Sequence, residues 1–138
     1  MRTLAVDPGE KHIGLALSDP SGIVARPLTT LKHEAREKDA ARIAALAVAH
    51  QADMILVGLA LDASGAVGPQ ARRAERLVEA LRALTALPVT TYDESFSTEA
   101  ARRALLTGGR KRRARREQIH AAAAAALLQS YLDAHSSE

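Results

Sequence analysis

The sequence predicts an α/β fold, a mixed five-stranded sheet of order 3-2-1-4-5 flanked by helices. Three observations predict it. Residues 3–18 alternate like a hairpin, residues 53–59 form a continuous apolar run, and stretches with helical spacing lie on either side of that run. A meander of three strands followed by two strand–helix–strand crossovers leaves the first, fourth and fifth strands parallel and adjacent.

Each element has its own reason. Residues 3–6 are apolar and end at Asp7, which suits a buried strand. Pro8, Gly9, Glu10 and Lys11 form a turn. Ile13, Leu15 and Leu17 then alternate with Gly14, Ala16 and Ser18, the pattern of a second strand. Asp19, Pro20, Ser21 and Gly22 form another turn. Residues 23–30 read as a third strand, and Pro27 places it at a sheet edge. Residues 34–50 have helical spacing, with Ile43, Leu46, Ala47 and His50 on one stripe. The run 53–59 (DMILVGL) reads as a central strand covered on both faces. Residues 62–68 form a polar loop with two glycines, and Pro69 opens a helix to about Leu84. Residues 88–92 form a short strand ending at Asp93 and Glu94. Ser97 caps a helix over 98–106, residues 108–113 read as a loop, and residues 117–133 form an alanine-rich last helix. There is no internal repeat and no linker composition, so residues 1–138 read as one domain.

Composition narrows the function. Apolar residues make up 47% of the chain and aromatic residues only 2%, so the core is aliphatic. So few aromatic residues argue against nucleic-acid binding by base stacking. The net charge is +3, but residues 102–116 carry eight basic side chains and no acid, leaving the rest of the chain at −5. The eight are Arg102, Arg103, Arg110, Lys111, Arg112, Arg113, Arg115 and Arg116. Such a patch on an acidic body suits a phosphate backbone, although a charge run can equally be a solvated face. With no cysteine, disulfides and thiolate metal sites are excluded. The longest apolar run, 121–128, is too short to cross a bilayer, and no secretory leader is expected. A soluble cytoplasmic protein with no membrane partner is expected.

Phosphodiester cleavage with two metal ions needs several hard ligands within a few ångströms of one another, supplied from rigid strand ends. Asp7 ends the first strand and Glu94 follows the fifth. Each alone reads as easily as turn chemistry. The topology opens both strands at one sheet edge, where open α/β sheets place their ligands. His120 shares a helical stripe with Ala124, Leu127 and Tyr131 and so faces inward. A core-edge histidine with a satisfied hydrogen bond is the alternative reading. The surrounding alanines let the helix approach the sheet, which brings His120 toward Asp7 and Glu94. Gly65, Gly68 and Gln70 lie in a loop entering a helix N-terminus, a setting that favours phosphate but also fits an ordinary turn.

These pieces together resemble the YqgF (RuvX) family, relatives of the Holliday-junction resolvase RuvC with an RNase H-like fold. The motifs are LAVDPGEKHIGLALSD at 4–19, VGLALDASGAVGPQA at 57–71, YDESFSTEAA at 92–101 and AAAALLQSYLD at 123–133. The resemblance spans the whole chain. It implies a nuclease with an acidic site holding Mg²⁺ or Mn²⁺, with Asp7 and Glu94 as catalytic metal ligands. The family's last helix usually adds an Asp, and His120 stands at that position here. His120 is therefore expected as third ligand or as proton carrier. Ala60 and Asp62 stand where the family commonly has Pro and Asn, and Ser95 where many members have Arg. The implied substrate is structured nucleic acid, either the 5′ end of a small-subunit (pre-16S) ribosomal RNA precursor or branched DNA such as a Holliday junction. Symmetric cutting of a junction would imply a homodimer. Two other readings stay open: a nucleic-acid-binding module whose site has decayed, and a sugar kinase-like ATPase relative, for whose two lobes the chain is short.

Overall fold

The computed structural model describes residues 1–61, 64–93 and 112–135, with side chains in the last segment from Gln118 onward. In chain order the elements are β1 (Thr3–Pro8), β2 (His12–Ser18), β3 (Ala25–Lys32), α1 (Arg36–Ala49), β4 (Met54–Leu59), α2 (Pro69–Leu84), β5 (Val89–Asp93) and α3 (Arg112–His135). The five strands form one sheet in the order β3-β2-β1-β4-β5. β2 is antiparallel to both β1 and β3, while β4 is parallel to β1 and to β5. The expected architecture and strand order are both present.

Alternation along β1 assigns the two faces. Leu4 and Val6 share one face with Ile13, Leu15, Ile55 and Val57, packed against Ile43 of α1 and Leu77 and Leu81 of α2. Ala5 shares the other face with Ala16 and Leu56, packed against Ala124, Leu128 and Leu132 of α3. The continuous apolar run of β4 follows from this, because both of its faces are covered.

Three element starts differ from the sequence expectation by two residues or more. β3 begins at Ala25 rather than at residue 23. The reason is Asp19, whose carboxylate accepts the amides of Ser21, Ile23 and Val24 at 3.1, 2.7 and 2.8 Å and holds those residues in the turn. The bonds from Val24 and Ile23 lower the Asp19 pKa from 3.8 to about 2. α1 begins at Arg36 rather than at residue 34. Asp39, inside the helix, reaches back to accept the Glu34 amide at 3.1 Å and also bonds His33 and Arg42, which fixes the chain before the helix. Burial alone would raise the Asp39 pKa, but those bonds outweigh it and hold it below its ordinary value. α3 begins at Arg112, so Arg112 and Arg113 are helical rather than in a loop. The apolar periodicity that guided the reading is silent in an arginine-rich turn, although arginine is a good helix former.

β3 is the edge strand that Pro27 predicts. Its register against β2 shifts between Leu15 and Ala16, whose partners are Thr29 and Pro27. Leu28 is the extra residue of a bulge beside the proline.

Candidate active site

Asp7 lies near the C-terminal end of β1, opposite Gly14 of β2. It is two residues from Ala5 and therefore on the α3 face of the sheet. It is only 9% exposed. Among the described residues, no hydrogen bond or ion pair engages its carboxylate. Burying an unpaired carboxylate is costly. A turn-forming aspartate would spend its oxygens on nearby amides, as Asp19 does. The ordinary turn reading of Asp7 therefore does not describe this side chain.

α3 crosses the same face, over β1, β2 and β3. Its approach is close because the contact residues are small. A β-carbon on Gly14 would sit 1.9 Å from the carbonyl oxygen of His120, a distance no structure tolerates. Gly14 thus lets the helix backbone lie directly against the strand position opposite Asp7. Farther along, Gln129 fixes the helix to the β2–β3 connection. It accepts the Ala25 amide and donates to the Ile23 carbonyl, both at 2.9 Å. The Tyr92 hydroxyl meets the Ser130 hydroxyl at 3.1 Å and ties the helix to β5. The last helix therefore brings His120 to the Asp7 end of the sheet.

His12, which has no role in the sequence reading, lies on the same face. It lies two residues before Gly14 on β2 and so shares the face of Asp7. Its ring stacks on that of His120, with centroids 4.9 Å apart and planes 21° from parallel. The register itself was the missed signal, since the residue two before Asp7's partner must share its face. Gly9 sets the turn that delivers His12. Its amide donates to the His12 carbonyl at 2.9 Å, and a β-carbon at Gly9 would lie 2.4 Å from that oxygen.

The other expected residues divide. Asp93 pairs with Leu59 in β5, which places it on the α2 face, opposite to Asp7, and it is exposed. Glu94, Asp62, the helix over 98–106, and Arg102, Arg103, Arg110 and Lys111 lie outside the described residues. Arg112, Arg113, Arg115 and Arg116 occupy the opening turns of α3. Gly65 has φ 81°, Gly68 is the N-cap of α2, and Gln70 is exposed in its first turn. The loop leaves β4 at the edge where β1 also ends, since Val6 and Val57 are parallel partners.

Asp7 offers a hard carboxylate with no hydrogen-bond or ion-pair partner among the described residues, the ligand type that Mg²⁺ and Mn²⁺ take. His12 and His120 lie on the same face of the sheet. Among the described residues, no three carboxylate or imidazole side chains could hold a metal ion between them. Among the described residues, no helix is long and apolar enough to cross a membrane.

A mixed sheet of this order, with a buried carboxylate at the end of its first strand and a last helix crossing beside it, is the architecture of the RNase H-like nucleases. The family model described as "RuvX: Holliday junction resolvase" matches residues 1–134, and the chain belongs to that family. A relative from Thermoanaerobacter pseudethanolicus, named "Putative pre-16S rRNA nuclease", is 37% identical over 139 residues and covers 100% of both chains. One of the same name from Roseiflexus sp. is 39% identical over 96% of this chain and 94% of its own. Among solved structures, Thermus thermophilus RuvC in complex with a Holliday junction substrate aligns with TM-score 0.62 at 17% identity, over 99% of this chain and 96% of that one. The fowlpox virus Holliday junction resolvase aligns with TM-score 0.60 at 14% identity, over 97% and 99%. At those identities the structures support the fold alone.

Proposed function

We propose that this chain cleaves structured nucleic acid at a divalent-metal centre built on Asp7, with Glu94 and His120 completing it. The observation that carries this reading is the buried Asp7 carboxylate with no protein partner among the described residues. Such a group costs stability and is best explained by a cation that it serves. Asp93 pairs with Leu59 on the α2 face, opposite to Asp7, which counts against it as the second carboxylate and supports Glu94. His120 is the third ligand or the proton carrier at the helix-covered side.

Mg²⁺ or Mn²⁺, when bound, supplies Lewis acidity and an activated water for in-line attack on phosphorus. The protein's part is to hold, orient and shield. Asp7 sits on a paired strand, and its backbone is fixed by the ladder to Gly14. α3 closes one side against water through Ala124, Leu127 and Leu128, all fully buried. Gly65, Gly68 and Gln70 precede or open α2, whose N-terminal amides suit a substrate phosphate. The opening turn of α3 carries Arg112, Arg113 and Arg115 and no acid. An arginine-rich opening without acids supports backbone binding by this segment. Arg102, Arg103, Arg110, Lys111 and Arg116 extend the same role in sequence.

Two substrates fit the relatives' names: the 5′ end of a pre-16S ribosomal RNA precursor, and a branched DNA of the Holliday-junction type. We read the chain as one cytoplasmic domain that acts on either, and as a homodimer if it nicks a junction symmetrically. A side-by-side cleavage assay tests the reading. A four-way junction and a pre-16S RNA fragment are each incubated with Mg²⁺ and with Mn²⁺. Metal-dependent cutting of one of them, abolished by chelation, is the expected result. Binding without cutting under every condition would replace the nuclease by a binding module.

A further inference from the structure

Given the nucleic-acid reading above, on which this rests, we infer that Arg72, Arg73 and Arg76 of α2 form a second surface for the nucleic-acid backbone, across the sheet from the arginines of α3. Three observations carry it. First, the arginines cluster on the outer side of α2. Arg76 follows Arg72 by four residues and Arg73 by three, so it neighbours both on the helix surface. The buried stripe of the helix is Ala71, Ala74, Leu77, Val78 and Leu81. Arg72 and Arg76 are exposed and Arg73 is half-buried. Second, the protein does not use these guanidinium groups for itself. Arg2, Arg42 and Arg82 donate to the His50 carbonyl, the Asp39 carboxylate and the Val89 carbonyl at 3.1, 2.6 and 2.7 Å. Among the described residues, no hydrogen bond or ion pair engages the side chains of Arg72, Arg73 or Arg76, and the nearby Glu75 and Glu79 pair with none of them. Third, the cluster stands at the Asp7 edge. Arg82, near the end of α2, bonds Val89, the first residue of β5, so the helix ends at the N-terminal edge of the parallel strands. Its 16 residues reach back about 24 Å along β4, past the roughly 20 Å that β4 spans. Its opening turns therefore lie at the C-terminal edge, where β1 also ends.

The chemistry of the cluster names its partner. A guanidinium is permanently charged and presents a planar fork of donors that matches phosphate. Three of them against the single acid Glu75 in the first two turns complement a polyanion. α3 begins at the same edge, since it passes Gly14 at His120 and reaches Ala25 at Gln129. It covers the opposite face of the sheet from α2. Two arginine-rich helix beginnings thus stand on either side of the edge that carries Asp7. A backbone that passes Asp7 meets one set on each side.

The test measures binding in EDTA, so that nothing is cut. A labelled four-way DNA junction and a labelled stem–loop RNA are each titrated with the full chain over a series of salt concentrations. The variant combining Arg72→Gln, Arg73→Gln and Arg76→Gln should unfold in urea like wild type, because glutamine is as good a helix former as arginine. It should lose about tenfold or more in affinity for the bound probe, and its slope of log K against log salt should flatten by about two to three. Arg26→Gln removes one exposed charge from β3 at the far end of the sheet, opposite Leu17, and should leave affinity and slope unchanged. Wild-type affinity and slope in the triple variant would make the arginines a solvated face and overturn the assignment. So would a loss with Arg26→Gln as large as with Arg73→Gln alone, which would mean attraction by net charge anywhere on the surface. Failure of the wild-type protein to bind either probe, or a change of molar mass in the triple variant showing that the surface joins two copies of the chain, also overturns it. Cleavage by the wild-type protein with Mg²⁺ and Mn²⁺ is assayed separately. If binding depends on the three arginines but nothing is cut, the nuclease reading fails and the surface stands. If cutting is metal-dependent but binding ignores them, the reverse holds.

Discussion

The two faces of the sheet are built from different side chains for different ends. The α1–α2 face is filled by Leu4, Val6, Ile13, Leu15, Ile43, Ile55, Val57 and Leu81, most of them fully buried. The α3 face relies on Ala5, Ala16, Ala124 and Gly14, with Leu56, Leu128 and Leu132 farther along the sheet. Large aliphatics contribute the greater apolar burial and hold the fold. Small residues contribute little burial, but they bring the backbone of α3 against the strand that faces Asp7. One face supplies most of the apolar burial, and the other gives up volume so that the last helix lies against β2 at Gly14, with His120 stacked on His12.

The largest expected effect lies on the stabilising face. Ile43→Ala should cost about 2–5 kcal/mol, because a fully buried side chain leaves a cavity between α1 and the sheet. Urea unfolding measures this. Metal-dependent cleavage well below the melting point should stay near wild type, and a loss of cleavage there would break the division between the faces.

Gly14→Ala should have a smaller stability cost, about 1–3 kcal/mol, as α3 shifts away from the strand. Its effect on cleavage should be much greater in proportion, about a hundredfold, since His120 moves with the helix. Mild destabilisation with full activity would show that the close approach serves packing alone.

The comparison explains what the sequence disclosed. Strand order, the α2 boundaries and the edge position of β3 were readable, because apolar alternation and Pro27 report directly on burial and pairing. The inward stripe of His120 was readable for the same reason. The start of α3 was not, since arginines carry no apolar period. The start of β3 was not, because side-chain capping by Asp19 competes with strand pairing. His12 was missed because its contact depends on register and on a helix more than a hundred residues away. The family resemblance chose Glu94 over Asp93, and the pairing of Asp93 with Leu59 puts Asp93 on the face opposite to Asp7.

The smallest effect lies remote from both faces. Asp19 has its pKa lowered from 3.8 to about 2 by turn amides. A carboxylate with a depressed folded pKa contributes stability that is fully present above its unfolded value and is lost as pH falls through the folded one. The window here is therefore from about pH 4 down to about pH 2. Asp19→Asn should flatten the fall in melting temperature across that window and leave cleavage at neutral pH unchanged. An unaltered acid slope would contradict the capping role.

On the proposed function, Asp7 is held unpaired for a metal at a cost to the fold. Asp7→Asn tests this most directly, with cleavage and thermal stability measured on the same preparation. Cleavage should fall on the order of a thousandfold or more. The metal-free melting temperature should equal or exceed that of wild type, because a buried unpaired charge has been removed. Full cleavage by the variant, or a large loss of stability, would contradict it.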